Sequence, residues 1–375
     1  MSPRSAYVHV PFCVHRCGYC NFTLVAGRDD LIGPYLDAIE RELSQLGEPR
    51  EIDTLFFGGG TPTHLPPAML ERLCQMVTRW LPRAEGCEWS VEANPADLDA
   101  ERVAVLRQYG VNRVSLGVQS FHADKLALLE RDHRRDGIMR SIELLRPWLD
   151  NLAIDLIFAT PGESIESWRD DLQQLLALEP QHVSTYGLTW ERGTSYWSRL
   201  QHGSLQQVDE EAERTMYADA IDTLVAAGFE HYEVSNFAQS GHRCLHNERY
   251  WDGAEYFAVG PGAARYVNGR REVNHRSTTT YIQRVLAGQS PVAEWEELSS
   301  EDRAREAFVF GMRRLRGVDR TAFEQRFAVS LDSLFHRELR KHVEFGLIVD
   351  TGEVLKLSRE GLFVSDAIWP DFLRR

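Results

Sequence analysis

The chain has no apolar run approaching the roughly 18 residues needed to cross a bilayer, and Met1 to Tyr7 lack the apolar stretch of a secretory signal. No integral membrane segment is therefore expected, and a cytoplasmic location is. Basic residues are in deficit: 42 Lys and Arg against 56 Asp and Glu leave a formal net charge of −14. A surface of that sign repels phosphate backbones and anionic headgroups, which excludes generic nucleic-acid or membrane-surface binding and leaves small molecules or proteins as partners. Cysteine is scarce too, and six in 375 residues cannot build a disulfide scaffold. Internal repeats and low-complexity segments are absent.

What is present is enough apolar content, 43%, for one large core and a smaller second domain. As far as Thr189, short β-branched or aromatic runs alternate with amphipathic helical stretches such as Leu31–Leu46 and Pro66–Trp80, the pattern of an α/β fold with a parallel sheet. Six strands are expected: Ala6–Phe12, Thr54–Phe57, Glu88–Glu92, Arg113–Gln119, Leu152–Phe158 and His182–Leu188. Trp190–Gly203 reads as a loop, Asp209–Ala227 as a helix capped by Gly228, and Tyr232–Ser235 as a strand that extends the sheet. From Pro291 the texture changes to charged helices, Ser300–Leu315 and Ser330–Phe345. A hairpin follows, Leu347–Asp350 and Val354–Leu357 about a Thr351-Gly352 turn, making an α+β, winged-helix-like appendage. Arg337, Arg340 and Lys341 on its second helix read as a solvated face rather than a DNA contact, given the acidic surroundings. The expected division is 1–235, a connecting region 236–290, and 291–375.

Three of the six cysteines, Cys13, Cys17 and Cys20, crowd into eight positions directly after the first strand, whereas Cys74 and Cys87 read as ordinary buried thiols. Three thiolates on one short loop reach three corners of a cubane and leave the fourth iron without a protein ligand. Such an open iron can take the amino and carboxylate groups of a methionine moiety, setting its sulfonium against the cluster for one-electron reductive cleavage. A zinc site completed by His15 or a distant ligand is the rival, but structural zinc usually pairs two distant knuckles and no second one is present.

The Cys-x3-Cys-x2-Cys loop after a first strand resembles the signature of the radical S-adenosylmethionine (SAM) superfamily. That resemblance implies a partial (β/α)6 barrel holding a [4Fe-4S] cluster and SAM. Tyr19, before the last cysteine, then falls near the adenine, and Tyr7 against the SAM. Gly58-Gly59-Gly60-Thr61-Pro62 resembles the methionine-binding GGTP motif, its glycines admitting a zwitterion to the backbone. Glu92 and Gln119 at adjacent strand tips can accept from ribose hydroxyls or an ammonium group. Arg131 can pair with the SAM carboxylate, and Asp155, a lone charge in an apolar strand, needs a partner. These four match, in order, the SAM contacts of the coproporphyrinogen oxidase-like branch.

Cys244-Leu-His246-Asn247-Glu-Arg-Tyr250-Trp251 resembles the HNxxYW region of the HemW-type haem chaperones, as does the C-terminal segment. An imidazole beside flat aromatics suits a macrocycle, so His246, Asn247, Tyr250 and Trp251 are the haem candidates the resemblance implies. A packing role for the same motif is the alternative. Oxygen-independent coproporphyrinogen III oxidases carry a further cysteine where Phe22 stands, so this chain departs from the oxidase pattern. Many chaperone relatives carry a histidine at the position of Ala264, which leaves His246, His275 or Cys244 as ligands. The resemblance implies haem as cargo, an acceptor protein, and an electron donor of the flavodoxin or ferredoxin kind. An enzyme that decarboxylates coproporphyrinogen, and a radical methyltransferase holding two SAM molecules, are the competing readings.

Overall fold

The computed structural model describes residues 3–373; Met1, Ser2, Arg374 and Arg375, the outermost residues of the segments expected from the sequence, lie outside it. Six parallel strands follow one another in chain order: β1 (Ser5–Val10), β2 (Ile52–Gly59), β3 (Arg83–Ala93), β4 (Arg113–Gln119), β5 (Leu152–Phe158) and β6 (His182–Gly187). Helices Ile32–Ser44, Pro67–Trp80, Arg135–Leu145 and Ile165–Leu176 run between them, each burying one apolar face. The strands are buried on both sides, as parallel strands sandwiched between helices and a filled interior must be.

The array is extended at both ends. The expected strand Tyr232–Ser235 is instead a hairpin, β7 (Glu230–Glu233) and β8 (Asn236–Ala238), with β8 antiparallel to β6. Val234 and Ser235 make its turn, so the expectation straddled two strands. On the other side β9 (Phe257–Val259) pairs in parallel with β1. Too short to show a period, β9 escaped sequence reading altogether. A second correction falls on Trp190–Gly203, which contains the helix Ser195–Gln201, capped by Thr194. Its Tyr196 is fully buried beneath the cysteine loop, a tertiary anchor that stabilises a helix too short to persist alone.

Helix Glu210–Ala226 then packs on Ile165–Leu176. A three-stranded antiparallel sheet joins Ala264–Val267, Arg270–Asn274 and Val292–Glu297, so it spans both sides of Pro291. Beyond it, helices Ser300–Arg313, Arg320–Phe327 and Leu331–Glu344 precede the hairpin Ile348–Asp350 and Val354–Leu357, the winged-helix-like arrangement. On its second long helix Arg340 pairs with Glu344 and Lys341 with Asp371. Arg214–Glu360 and Arg359–Asp222 ion pairs tie this appendage to the outer helix of the barrel. No helix among the described residues is long and apolar enough to cross a membrane.

Candidate functional site: a cavity inside the strand array

Phe56, Glu92, Ser115, Asp155 and Ser184, from β2 through β6, line one cavity of about 640 Å³. Five consecutive strands turning side chains into one space is what a sheet curved into a partial barrel produces. Cys13, Cys17 and Cys20 line its mouth, beside the ends of β1 and β2.

The loop that carries the three thiols is tied down from several directions. Arg16 donates to the carbonyls of Cys20, Phe22 and Leu24, at 3.3, 3.2 and 2.6 Å. Tyr196 donates its backbone N–H to the carbonyl of Gly18 at 2.9 Å. A Cβ at Gly18 would stand 2.6 Å from the Tyr196 ring, which is why glycine sits there. The Cys13 thiol contacts the Thr61 hydroxyl at 3.3 Å, and Arg131 lies 3.9 Å from the Cys17 sulfur. Burial pushes the Cys13 thiol up to about 12 and raises Cys20 as well. Thiols in that state need a cationic partner to ionise, as metal ligation supplies.

The Gly58–Thr61 segment sits against this loop because β1 and β2 end together. Gly60 donates to Val10 and Thr61 donates to Phe12, both at 2.8 Å. A Cβ on Gly60 would meet the Phe12 carbonyl oxygen at 2.7 Å, and Gly59, at φ +112°, has the His9 ring where its Cβ would be. These glycines are thus required by the fold as well as open to the cavity, which Gly59, Gly60 and Thr61 all line.

Deeper in, two carboxylates face the same space. Glu92 accepts from the Gly59 N–H at 3.0 Å and is pushed up to about 7, by burial first and then by Asp155. Asp155, raised by burial, accepts from the Ser115 hydroxyl at 3.0 and 3.1 Å. Gln119, at the tip of β4, is held at φ +65° beside a register shift; strain of that kind accumulates at functional sites. Arg131 donates to Asn94 and Gly117, while its Nε is buried without a partner. Two desolvated carboxylates and a buried guanidinium whose Nε has no partner among the described residues suit a ligand carrying both a positive group and a carboxylate. These residues line one cavity and fit a [4Fe-4S] cluster and SAM: Cys13, Cys17 and Cys20 would hold the cluster, and Tyr19, Gly59, Gly60, Thr61, Glu92, Gln119, Arg131 and Asp155 would hold SAM. When bound, that pair supplies one-electron reductive cleavage of a sulfonium.

Two expected residues are not among those that line the cavity. Tyr7 does not line the cavity; its hydroxyl bonds His9 at 3.0 Å and its ring stacks on Phe56, which does. His246 is 1% exposed, with Nδ1 bonded to Thr54 at 2.9 Å and Nε2 to Tyr250 at 2.8 Å. Both ring nitrogens are hydrogen-bonded, so the imidazole could take iron only with one of these bonds broken. Glu88 accepts from the N–H groups of Leu245 and His246 and fixes the start of helix Leu245–Trp251. Tyr250 packs edge-on against Tyr256, and Trp251 lies under Arg313. Of that motif only Asn247 lines the cavity. Cys244 and Cys74 are fully buried, and Cys87 is nearly so.

Sequence reading missed Arg113, which lines the cavity and donates to His182 at 3.2 Å, with Nε unpartnered. A lone charge in a buried strand was the signal that singled out Asp155, and the same signal was present at Arg113. Asn94, Ser115, Ser184 and Tyr186 also line the cavity, and nothing in their types or spacing distinguishes them from ordinary strand residues.

The fold and this cavity define a radical SAM protein: residues 7–175 match the Radical SAM superfamily and residues 298–364 the HemN C-terminal domain. Among solved structures, coproporphyrinogen III oxidase (HemN) from Escherichia coli superposes with a TM-score of 0.86 at 21% identity, over 99% of this chain and 90% of that one. Heme chaperone HemW of Bacillus subtilis is 35% identical over 99% of both chains. That of Mycobacterium tuberculosis is 33% identical over 98% of this chain and 94% of its own. A mitochondrial radical S-adenosyl methionine domain-containing protein 1 from Danio rerio is 32% identical over 98% and 86%. The chain belongs to the HemW haem-chaperone family.

Proposed function

We propose that this chain binds haem and transfers it to an acceptor protein, carrying a SAM-ligated [4Fe-4S] cluster on Cys13, Cys17 and Cys20. The observation that carries the proposal is end-to-end similarity to HemW chaperones, coupled to a three-thiol loop at the mouth of a cavity lined by paired carboxylates. Phe22, where the oxidases have a further cysteine, agrees with a chaperone. Thiols kept reduced favour work in the cytoplasm, where a flavodoxin- or ferredoxin-type donor would supply electrons to the cluster.

The test is anaerobic reconstitution with iron and sulfide, then titration with SAM and with haemin, then mixing of the haem-loaded protein with an apo haem protein. Haemin should bind stoichiometrically, its absorption should move to the acceptor, and coproporphyrinogen should yield no decarboxylated product. Failure to bind haemin, or steady decarboxylation, would overturn the reading.

A further inference from the structure

The outer rim of the cavity carries groups that neither the cluster nor SAM uses. Val14 and Phe22, both on the cysteine loop and both lining the cavity, are 52% and 62% exposed. A bare aromatic ring beside a valine at a cavity mouth marks a contact surface rather than packing. On the same loop is His15, its side chain 55% exposed and bonded at one ring nitrogen to Glu130, at 3.1 Å.

His15 is the histidine that lines the cavity among the described residues. The interior imidazoles nearby are committed elsewhere, His9 to Tyr7 and Thr23, His182 to Arg113 and Tyr232, and His246 to Thr54 and Tyr250. Haem requires an apolar surface for its flat face and an axial donor for its iron. A carboxylate on one nitrogen of a ligating histidine orients the ring and raises its basicity; Glu130, itself paired with Arg199, holds Nε2, and Nδ1 is the donor that would meet iron. Arg16, bonded to three carbonyls of the loop, keeps these side chains on a fixed backbone.

We infer that Val14, His15 and Phe22 form the haem contact of this chain, with His15 as the axial ligand in place of His246. The inference rests on the haem-chaperone reading and names its site. The experiment is haemin titration of the full-length reconstituted protein, followed by optical spectroscopy, for wild type, His15→Gly and Phe22→Ser. The His15→Gly variant should bind haemin at least tenfold more weakly with a shifted Soret band, and added imidazole should restore the wild-type spectrum. Phe22→Ser should weaken binding without moving the band. Wild-type affinity and spectrum in His15→Gly, or a lost spectrum that imidazole does not restore, would overturn the assignment. Wild-type protein that takes up no haemin would instead sink the chaperone reading, so the two failures are distinguishable.

Discussion

Replacing His246 with alanine is expected to unfold the barrel floor rather than abolish a haem ligand. The substitution removes a side chain that is 1% exposed and strands two hydroxyls, those of Thr54 and Tyr250. A buried polar group left unpaired costs about 1–3 kcal/mol. Two of them, with the packing lost around the ring, bring the expected loss to about 3–6 kcal/mol, with water entering the hole giving the lower end. Against a typical domain stability of about 5–15 kcal/mol, that is a large fraction.

The same ring also governs acid sensitivity. Burial, assisted by Arg113, pushes His246 down to about 3, whereas the unfolded imidazole titrates at about 6.5. The unfolded chain therefore takes up the proton first. Stability is fully present above about pH 6.5 and falls as pH drops toward 3, by about 1.4 kcal/mol per pH unit from this one group. His9, His133 and His231, each held near about 4 chiefly by burial, act in the same direction. Urea denaturation under anaerobic conditions at about pH 7.5 and about pH 5 would read both effects. The wild-type midpoint should fall on acidification, while His246→Ala should start lower and fall less. An unchanged midpoint at the higher pH, or equal acid sensitivity in the two proteins, would refute the assignment of His246 to the core.

Serine in place of Cys13, Cys17 or Cys20 should each lower bound iron and sulfide to a small fraction of wild type, measured by chemical analysis after anaerobic reconstitution; retention of the full complement would exclude that cysteine as a ligand. Gly60→Ala places a methyl 2.7 Å from the Phe12 carbonyl oxygen, so a loss of about 1–3 kcal/mol in thermal unfolding is expected, with weaker SAM binding. Glu92 sits at about 7 through burial and the neighbouring Asp155; ionised, it attracts a cation, so SAM affinity should fall as pH drops through 7. Glu92→Gln should flatten that profile in equilibrium dialysis, and an unaltered profile would show that another group governs it. Arg113→Met, which leaves Glu92 without its nearby buried cation and Asp155 with Arg131 alone, should weaken SAM binding in equilibrium dialysis less than Arg131→Met and lower the thermal unfolding midpoint more; the reverse order would refute the assignment.

Much of the barrel is written in local patterns that the sequence displays openly. The six parallel strands are runs of β-branched residues whose sheet neighbours follow in chain order, so composition and alternation suffice to place them. The cysteine loop is equally plain, because three thiols within eight residues have few chemical uses. Asp155 announced itself as a charge in a buried strand, and Glu92 as a carboxylate at a strand tip. What sequence alone determined, then, was the elements with a strong local period and the groups whose chemistry is conspicuous. Tertiary structure decided the rest. Helix Ser195–Gln201 exists because Tyr196 is buried under Gly18, and β9 exists because an edge of β1 is available to pair. His246 was assigned by its surroundings, since an imidazole among aromatics looks the same in sequence whether it awaits iron or is closed between two hydroxyls. Tyr250, one turn on in the same helix, reaches one nitrogen locally, but only the packing of helix Leu245–Trp251 against β2 brings Thr54 to the other and distinguishes the two. Hydrogen-bond saturation is a property of atoms far apart in the chain, and it is settled when they meet.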